Sequence, residues 1–258
     1  TFSDRYFLKA YADLTVVGIY SLGYKLGFLL WMFPVQPIMN IWNPQRFEIA
    51  KKPDVMETNR RVFFFFNLLI ISGALGISLF SHDLFRVMSA PGFWDAHKIV
   101  PLIMLAYIVQ AWTAFGNFGV MYSGKTQYIA IGTAVAAASI IIFSFALIPY
   151  FHAYGAAIAT ILAFIVRFII IYFFSQREFP LTLPWGKCSM MAIPAILIYL
   201  SSRIFQDDNI VVSILINSIF FGVYIVCLMI LPTFSKNEKQ MIFSLILHPL
   251  KTIRMKGI

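Results

Sequence analysis

Residues 15–42 read TVVGIYSLGYKLGFLLWMFPVQPIMNIW, an apolar run whose single charge, Lys25, lies near its middle. Wound as a helix at about 1.5 Å per residue, the run is long enough to cross a hydrocarbon layer of about 30 Å with some tilt. It reads as a membrane span. A lysine near the centre of such a span costs about 2.5–3.5 kcal/mol on insertion scales, so its ammonium is expected to face protein or a wet cavity rather than lipid. Advancing about 100° per residue from Lys25, Gly18, Ser21, Met32, Gln36 and Asn40 fall on the same side. That side is polar or small. Gly23 and Gly27 fall on the opposite side, where the missing side chains invite close approach by another helix. The alternative for Lys25 is snorkelling towards a headgroup. Ten residues of helix, roughly 15 Å, separate it from the near end of the run, a long reach for one side chain.

Composition agrees. Of 258 residues, 60% are hydrophobic and 12% charged, about half the charged share of a soluble domain. A soluble globular fold is excluded. Cys188 and Cys227 lie in apolar runs without metal spacing and read as reduced, buried thiols. The chain opens at Thr1 in mid-pattern, with neither an initiator methionine nor a leader peptide, and so reads as the downstream part of a longer protein.

In chain order, residues 1–10 read as the last turns of a span, in which the adjacent Asp4 and Arg5 point about 100° apart and each need another partner. After the span 15–42 comes a polar connection, 43–61, a loop or short surface helix interrupted by Pro53. The second span, 62–82, opens on four phenylalanines, Phe63 to Phe66, which read as packing residues. Residues 83–97 form a mixed loop broken at Pro91 and Gly92. The third span, 98–121, places Gln110, Thr113 and Asn117 on one face. The fourth and fifth, 127–150 and 155–175, follow, the latter carrying Ala156, Thr160, Ala163 and Arg167 down one side. Arg167 lies about 12 Å from its helix end, which leaves snorkelling and a cavity role both open. Spans at 186–205 and 209–231 close the series. The tail beyond Pro232 reads as an interfacial helix, 241–247, flanked by Lys236, Lys239, Lys251, Arg254 and Lys256.

Seven complete spans put the two ends of the chain on opposite sides. If the carboxyl tail is cytoplasmic, inner segments collect 13 lysines and arginines and outer ones five (Arg5, Lys9, Arg86, Lys98 and Arg203). By the positive-inside rule this asymmetry sets the orientation, and it absorbs most of the excess of 20 basic over 11 acidic residues without nucleic acid.

No catalytic constellation is legible. His82, His97, His152 and His248 lie near span ends without a second ligand at metal spacing on the same helix, and no phosphate-cradling glycine loop is present. Asp207 and Asp208 beside Arg203 read as a solvated loop cluster rather than a metal site. No cofactor is expected. What remains is a set of polar helix faces with isolated cations at depth, a layout suited to accepting an anionic headgroup in a cavity.

Ser3-Asp4-Arg5-Tyr6-Phe7-Leu8, followed by Val17-Gly18-Ile19-Tyr20-Ser21-Leu22-Gly23-Tyr24-Lys25-Leu26-Gly27, resembles the seventh-to-eighth helix junction of Wzx-type oligosaccharide flippases, the polysaccharide biosynthesis proteins. Trp42-Asn43-Pro44 and Phe47-Glu48-Ile49-Ala50-Lys51 are similar to the inner loop that follows, and Pro101-Leu102, Ala106-Tyr107 and Gly124-Lys125-Thr126 also fit. The resemblance covers the whole chain and is most specific in its first fifty residues. It implies an all-α integral membrane fold of the multidrug, oligosaccharidyl-lipid and polysaccharide exporter superfamily. Residues 1–176 would be the C-terminal six-helix lobe with its first helix truncated, 177–232 an extra helix pair, and 233–258 a basic cytoplasmic tail. It further implies a bacterial inner-membrane protein of O-antigen or other surface polysaccharide synthesis. Working with an N-terminal lobe, it would move a polyprenyl-diphosphate-linked oligosaccharide to the outer leaflet by alternating access. Arg5, Lys25 and Arg167 would then attract the diphosphate, while Gln36, Gln110 and Asn117 would bond sugar.

Two other readings stand beside it. A cation-coupled multidrug exporter of the same fold would call for a deep carboxylate, and no complete span carries one at depth. A membrane-embedded polysaccharide polymerase or acyltransferase would call for a reactive histidine or carboxylate on a large outer loop, and the longest here has about fifteen residues.

Overall fold

The computed structural model describes residues 3–205, 207 and 209–230; the tail and its expected interfacial helix lie outside the described residues, as does Asp208. Within them the chain is helical. A short helix α1 (Ser3–Tyr11) leads into α2 (Leu14–Ile49), α3 (Val55–Met88), a 3-10 segment (Pro91–Lys98) and α4 (Val100–Tyr122). The segment Gln127–Glu178 follows, then α7 (Trp185–Ser202) and α8 (Ile210–Ile230).

Gln127–Glu178 is a hairpin rather than one long helix. Tyr128 stacks on Phe174 with ring centroids 4.1 Å apart, and a Cβ on Gly132 would stand 2.7 Å from Ile171. These pairings centre the reversal on residues 151–152, where His152 has φ 47° and ψ −119°, a backbone region that a non-glycine residue seldom adopts. Gly155 then lies directly on the Leu147 carbonyl, where any side chain would collide. The two arms, 127–151 and 153–178, are α5 and α6. Among the described residues six helices are long and apolar enough to span a membrane, and the hairpin makes them seven potential crossings, as expected from the sequence.

Two connections differ from the sequence reading. Residues 43–61 are not mainly a loop: α2 runs on to Ile49, α3 starts at Val55, and only a tight turn separates them. Pro44 is carried inside α2, where the carbonyl its ring leaves unbonded belongs to the exposed Asn40. The start of α3 is polar yet keeps helical period, with Asn59, Phe63, Asn67 and Ile70 all buried. Asp83 likewise sits in α3, buried, rather than in a loop.

Inside α2, residues Trp31–Val35 form a π turn. Pro34 offers no N–H, and the Gln36 N–H reaches back five residues to the Trp31 carbonyl. The glycines of α2 lie where their spacing placed them. A Cβ on Gly27 would overlap Ile103 and stand 2.7 Å from the Tyr107 ring, and one on Gly23 would stand 3.4 Å from the Ala96 carbonyl. The phenylalanines are packing residues: Phe63, Phe64 and Phe66 are buried, and Phe63 and Phe66 both meet Phe115 of α4. Helices α7 and α8 join the same core through Cys188, Met191, Ala195, Tyr224 and Leu228, while Leu197 (59%) and Ile219 (66%) face outwards.

The turns divide into two ends. One, the Arg46 end, gathers residues 50–54, 123–126 and 179–184; the other, the His97 end, gathers 89–99, His152, 203–205, Asp207 and Asn209.

Replacing Gly27 with leucine should lower the thermal midpoint of the detergent-solubilised protein, by about 1–3 kcal/mol of overpacking. Gly18→Ala should cost much less. Its Cβ would meet only the ring of Phe93, which is 37% exposed and free to swing. Size-exclusion thermal melts of the two variants check the contrast.

Candidate functional site

The small-residue side of α6, with Ala156, Thr160 and Ala163 all buried, receives α1. This close fit places Asp4 inside the bundle with no solvent exposure. Its Oδ2 accepts a hydrogen bond from the Tyr20 hydroxyl at 2.9 Å and lies 3.3 Å from the Thr160 hydroxyl. Thr160 Oγ1 also stands 3.0 Å from its own Ala156 carbonyl, and with one proton to give it serves one acceptor at a time. A buried carboxylate costs several kcal/mol unless its oxygens are bonded, so three helices, α1, α2 and α6, are tied through this one group. Arg5, the next residue, sets its guanidinium 5.9 Å from the centre of the Tyr24 ring, which packs edge-on against Tyr107 of α4 at 5.6 Å.

The six residues picked from the sequence are distributed unevenly around this centre. Arg5 is part of it. Lys25 follows Tyr24 but points the other way: it is exposed, on the side of α2 opposite Gly23 and Gly27, with no ion pair or hydrogen bond among the described residues. Met32, Gln36 and Asn40 are exposed too. Arg167 is half-buried two turns along α6 from Thr160, with a buried Nε that bonds to nothing among the described residues. Gln110 is half-buried on α4, and Gln36 lies roughly 16 Å along α2 from Lys25. Asn117 is elsewhere, at the Arg46 end. There α4 breaks (φ −76°, ψ 2°), and the Asn117 side-chain oxygen accepts a 3.1 Å bond from Arg46. The expected polar face Gln110–Thr113–Asn117 is therefore partly consumed within the bundle, since Thr113 is buried and donates to its own Val109 carbonyl.

In the sequence Arg46 is one charge of the polar connection 43–61, read as a loop or short surface helix. It is in fact 1% exposed, bonded to Asn117 and near the Phe115 carbonyl (3.5 Å) and Met121 sulfur (2.9 Å), with its guanidinium 5.2 Å from the Phe118 ring. No acid partners it among the described residues. Asp4 and Tyr20 also went unassigned in the sequence; the one signal was that Asp4 and Arg5 could not satisfy each other.

At the opposite end Asp83 Oδ2 accepts a 2.9 Å bond from Asn217 of α8, and His82 packs edge-on against His97 at 4.7 Å. The His97 Nδ1 lies 2.7 Å from the Trp94 carbonyl. Burial pushes the His97 imidazole down to about 4, while the Lys98 ammonium, 2.8 Å away, holds the nearby Asp95 carboxyl below its ordinary range. Among the described residues no group of three histidine, cysteine or acidic side chains could hold a metal ion.

Because folded His97 takes its proton at about 4 and unfolded histidine at 6.5, the unfolded state binds more protons between those values. Stability should therefore fall as pH drops from 6.5 towards 4. Melts across that window should show a shallower decline for His97→Gln than for the wild type.

No protein-family model and no curated protein sequence matches the chain. Among solved structures, that of the lipid II flippase MurJ in an inward closed conformation is similar to it, with a TM-score of 0.63 at 12% identity. The match covers 81% of this chain and 46% of the MurJ chain, so the chain spans about half the length of that structure. At such identity the likeness speaks for the fold alone: the described residues form a helical bundle similar to that of MurJ, with helices long and apolar enough to cross a membrane.

Proposed function

We propose that this chain is the C-terminal lobe, with an extra helix pair, of a flippase that carries a polyprenyl-diphosphate-linked oligosaccharide between leaflets by alternating access. The observation that carries the reading is the charge held at depth. Arg5, Lys25 and Arg167 stand within helices of the bundle, and next to Arg5 the Asp4 carboxylate accepts from Tyr20. Lys25 is the exposed member. Such cations attract a diphosphate, and their cost in lipid is explained if they line a wet path. MurJ, which shares the fold, is by its title a flippase of lipid II, a lipid-linked substrate, which supports the same class here. Gln36 and Gln110 are the sugar-bonding candidates; Asn117 serves only if Arg46 releases it. The excess of basic residues at the Arg46 end favours a cytoplasmic placement of that end and, with it, of the carboxyl tail, in a bacterial inner membrane making O-antigen or another surface polysaccharide.

A second reading, a cation-coupled multidrug exporter, is favoured by one observation: the fully buried Asp4, a carboxylate of the kind such a protein uses.

Translocation of a fluorescent lipid-linked oligosaccharide by the complete protein in liposomes separates the two. Lys25→Ala should cut the rate about tenfold or more with folding unchanged, and Lys25→Arg should retain most of it. Unchanged transport in Lys25→Ala removes the residue from the site. Efflux of cationic dyes that disappears in Asp4→Asn would instead establish the second reading.

A further inference from the structure

Between α3, α4 and α7 lies an apolar groove with a cavity volume of about 240 Å³, lined by Ala74, Leu75, Leu105, Ile108, Ile196 and their neighbours. Its one aliphatic hydroxyl, Ser78, already donates to the Ala74 carbonyl at 2.7 Å, so nothing in the wall asks for a polar ligand. The groove has a closed floor and a charged mouth. At the floor Trp112 donates to the Asn67 side-chain oxygen at 2.7 Å and packs edge-on against Trp185, which in turn meets Phe63. At the mouth, on the His97 end, Tyr199 lines the wall, and the Arg203 guanidinium sits 5.3 Å from its ring centre. Arg203 has no carboxylate partner among the described residues. The Tyr199 side chain is its neighbour, His97 also lies within electrostatic range, and Lys98 is engaged by Asp95.

From Pro101 at the mouth to Trp112 at the floor is eleven residues of α4, about 16 Å. That is half of a hydrocarbon core of about 30 Å, the depth of one leaflet. We propose that the groove holds an acyl chain of an anionic glycerophospholipid, with its phosphate on Arg203. A single-leaflet chain fills the groove and stops at the tryptophans; a long polyprenyl chain would overrun the floor. The cation at the mouth selects an anionic headgroup over a zwitterionic one. This site is separate from Arg5 and from Lys25 and does not depend on what those residues bind.

Phosphatidylglycerol bearing a photoreactive diazirine on its acyl chain, and phosphatidylcholine with the same chain, would be presented to the complete protein in nanodiscs and the labelled peptides identified by mass spectrometry. The expected result is several-fold stronger labelling of α3, α4 and α7 peptides by phosphatidylglycerol. Arg203→Gln should bring it down to the phosphatidylcholine level. Ile196→Trp and Leu105→Trp, both at exposed positions, should block labelling by either lipid while the protein elutes as the wild type does. Equal labelling by the two lipids in the wild type would overturn the proposal, as would undiminished labelling of both tryptophan variants. Displacement of phosphatidylglycerol by equimolar polyprenyl phosphate would also overturn it and give the groove to a prenyl chain.

Discussion

The close approach of α2 to α4 governs this structure. With no side chain at Gly27, Ile103 and Tyr107 press against the α2 backbone itself, and Gly23 does the same for the segment that precedes α4. In lipid the hydrophobic effect gives helices little reason to prefer one face over another, so contact at this range decides how a helix is turned. Once Gly23 and Gly27 face inward, Lys25 must face outward, and Tyr20 and Tyr24 are carried round to meet Asp4 and Tyr107. The inward placement of Tyr20 and Tyr24 and the outward placement of Lys25 both follow from that packing choice.

Buried polar pairs complete the assembly. Asp4 joins α1, α2 and α6; Trp112 donates to Asn67 between α4 and α3; Asn217 donates to Asp83 between α8 and α3; Arg46 reaches from α2 to the break in α4. Each is a group that water would solvate and hydrocarbon would not, so each has one economical place in the bundle. Apolar surface alone would tolerate several helix arrangements, and these bonds distinguish among them.

The same logic separates structural charge from exposed charge. Arg46 is enclosed by neutral acceptors and aromatic rings, and Asp4 by hydroxyls, so both read as parts of the scaffold in this conformation. Lys25 is exposed on the membrane-spanning face where lipid would penalise it, and Arg167 keeps a buried Nε without a bond among the described residues.

How much of this was legible beforehand varied with the range of the interaction. Spans are written in local hydropathy, because about 30 Å of hydrocarbon imposes a minimum apolar length. Hence the seven crossings, the glycine face of α2 and the small-residue side of α6 could all be read from residue order, and so could the reversal near residues 151–154, an uncharged link between two apolar runs. The extents of the polar helix ends could not, since residues 43–49 and 55–61 are helical through burial of Arg46 and Asn59 against distant parts of the chain. Nor could the partners of Asp4, which are 16 and 156 residues away. Nothing in a one-dimensional pattern brings Tyr20 and Thr160 to a carboxylate, or Asn117 to Arg46. Residue order determined that this chain lives in a membrane and which faces of its helices can touch; only the packed bundle decided which charges are sealed inside it and which remain at its surface, because that depends on which helices become neighbours.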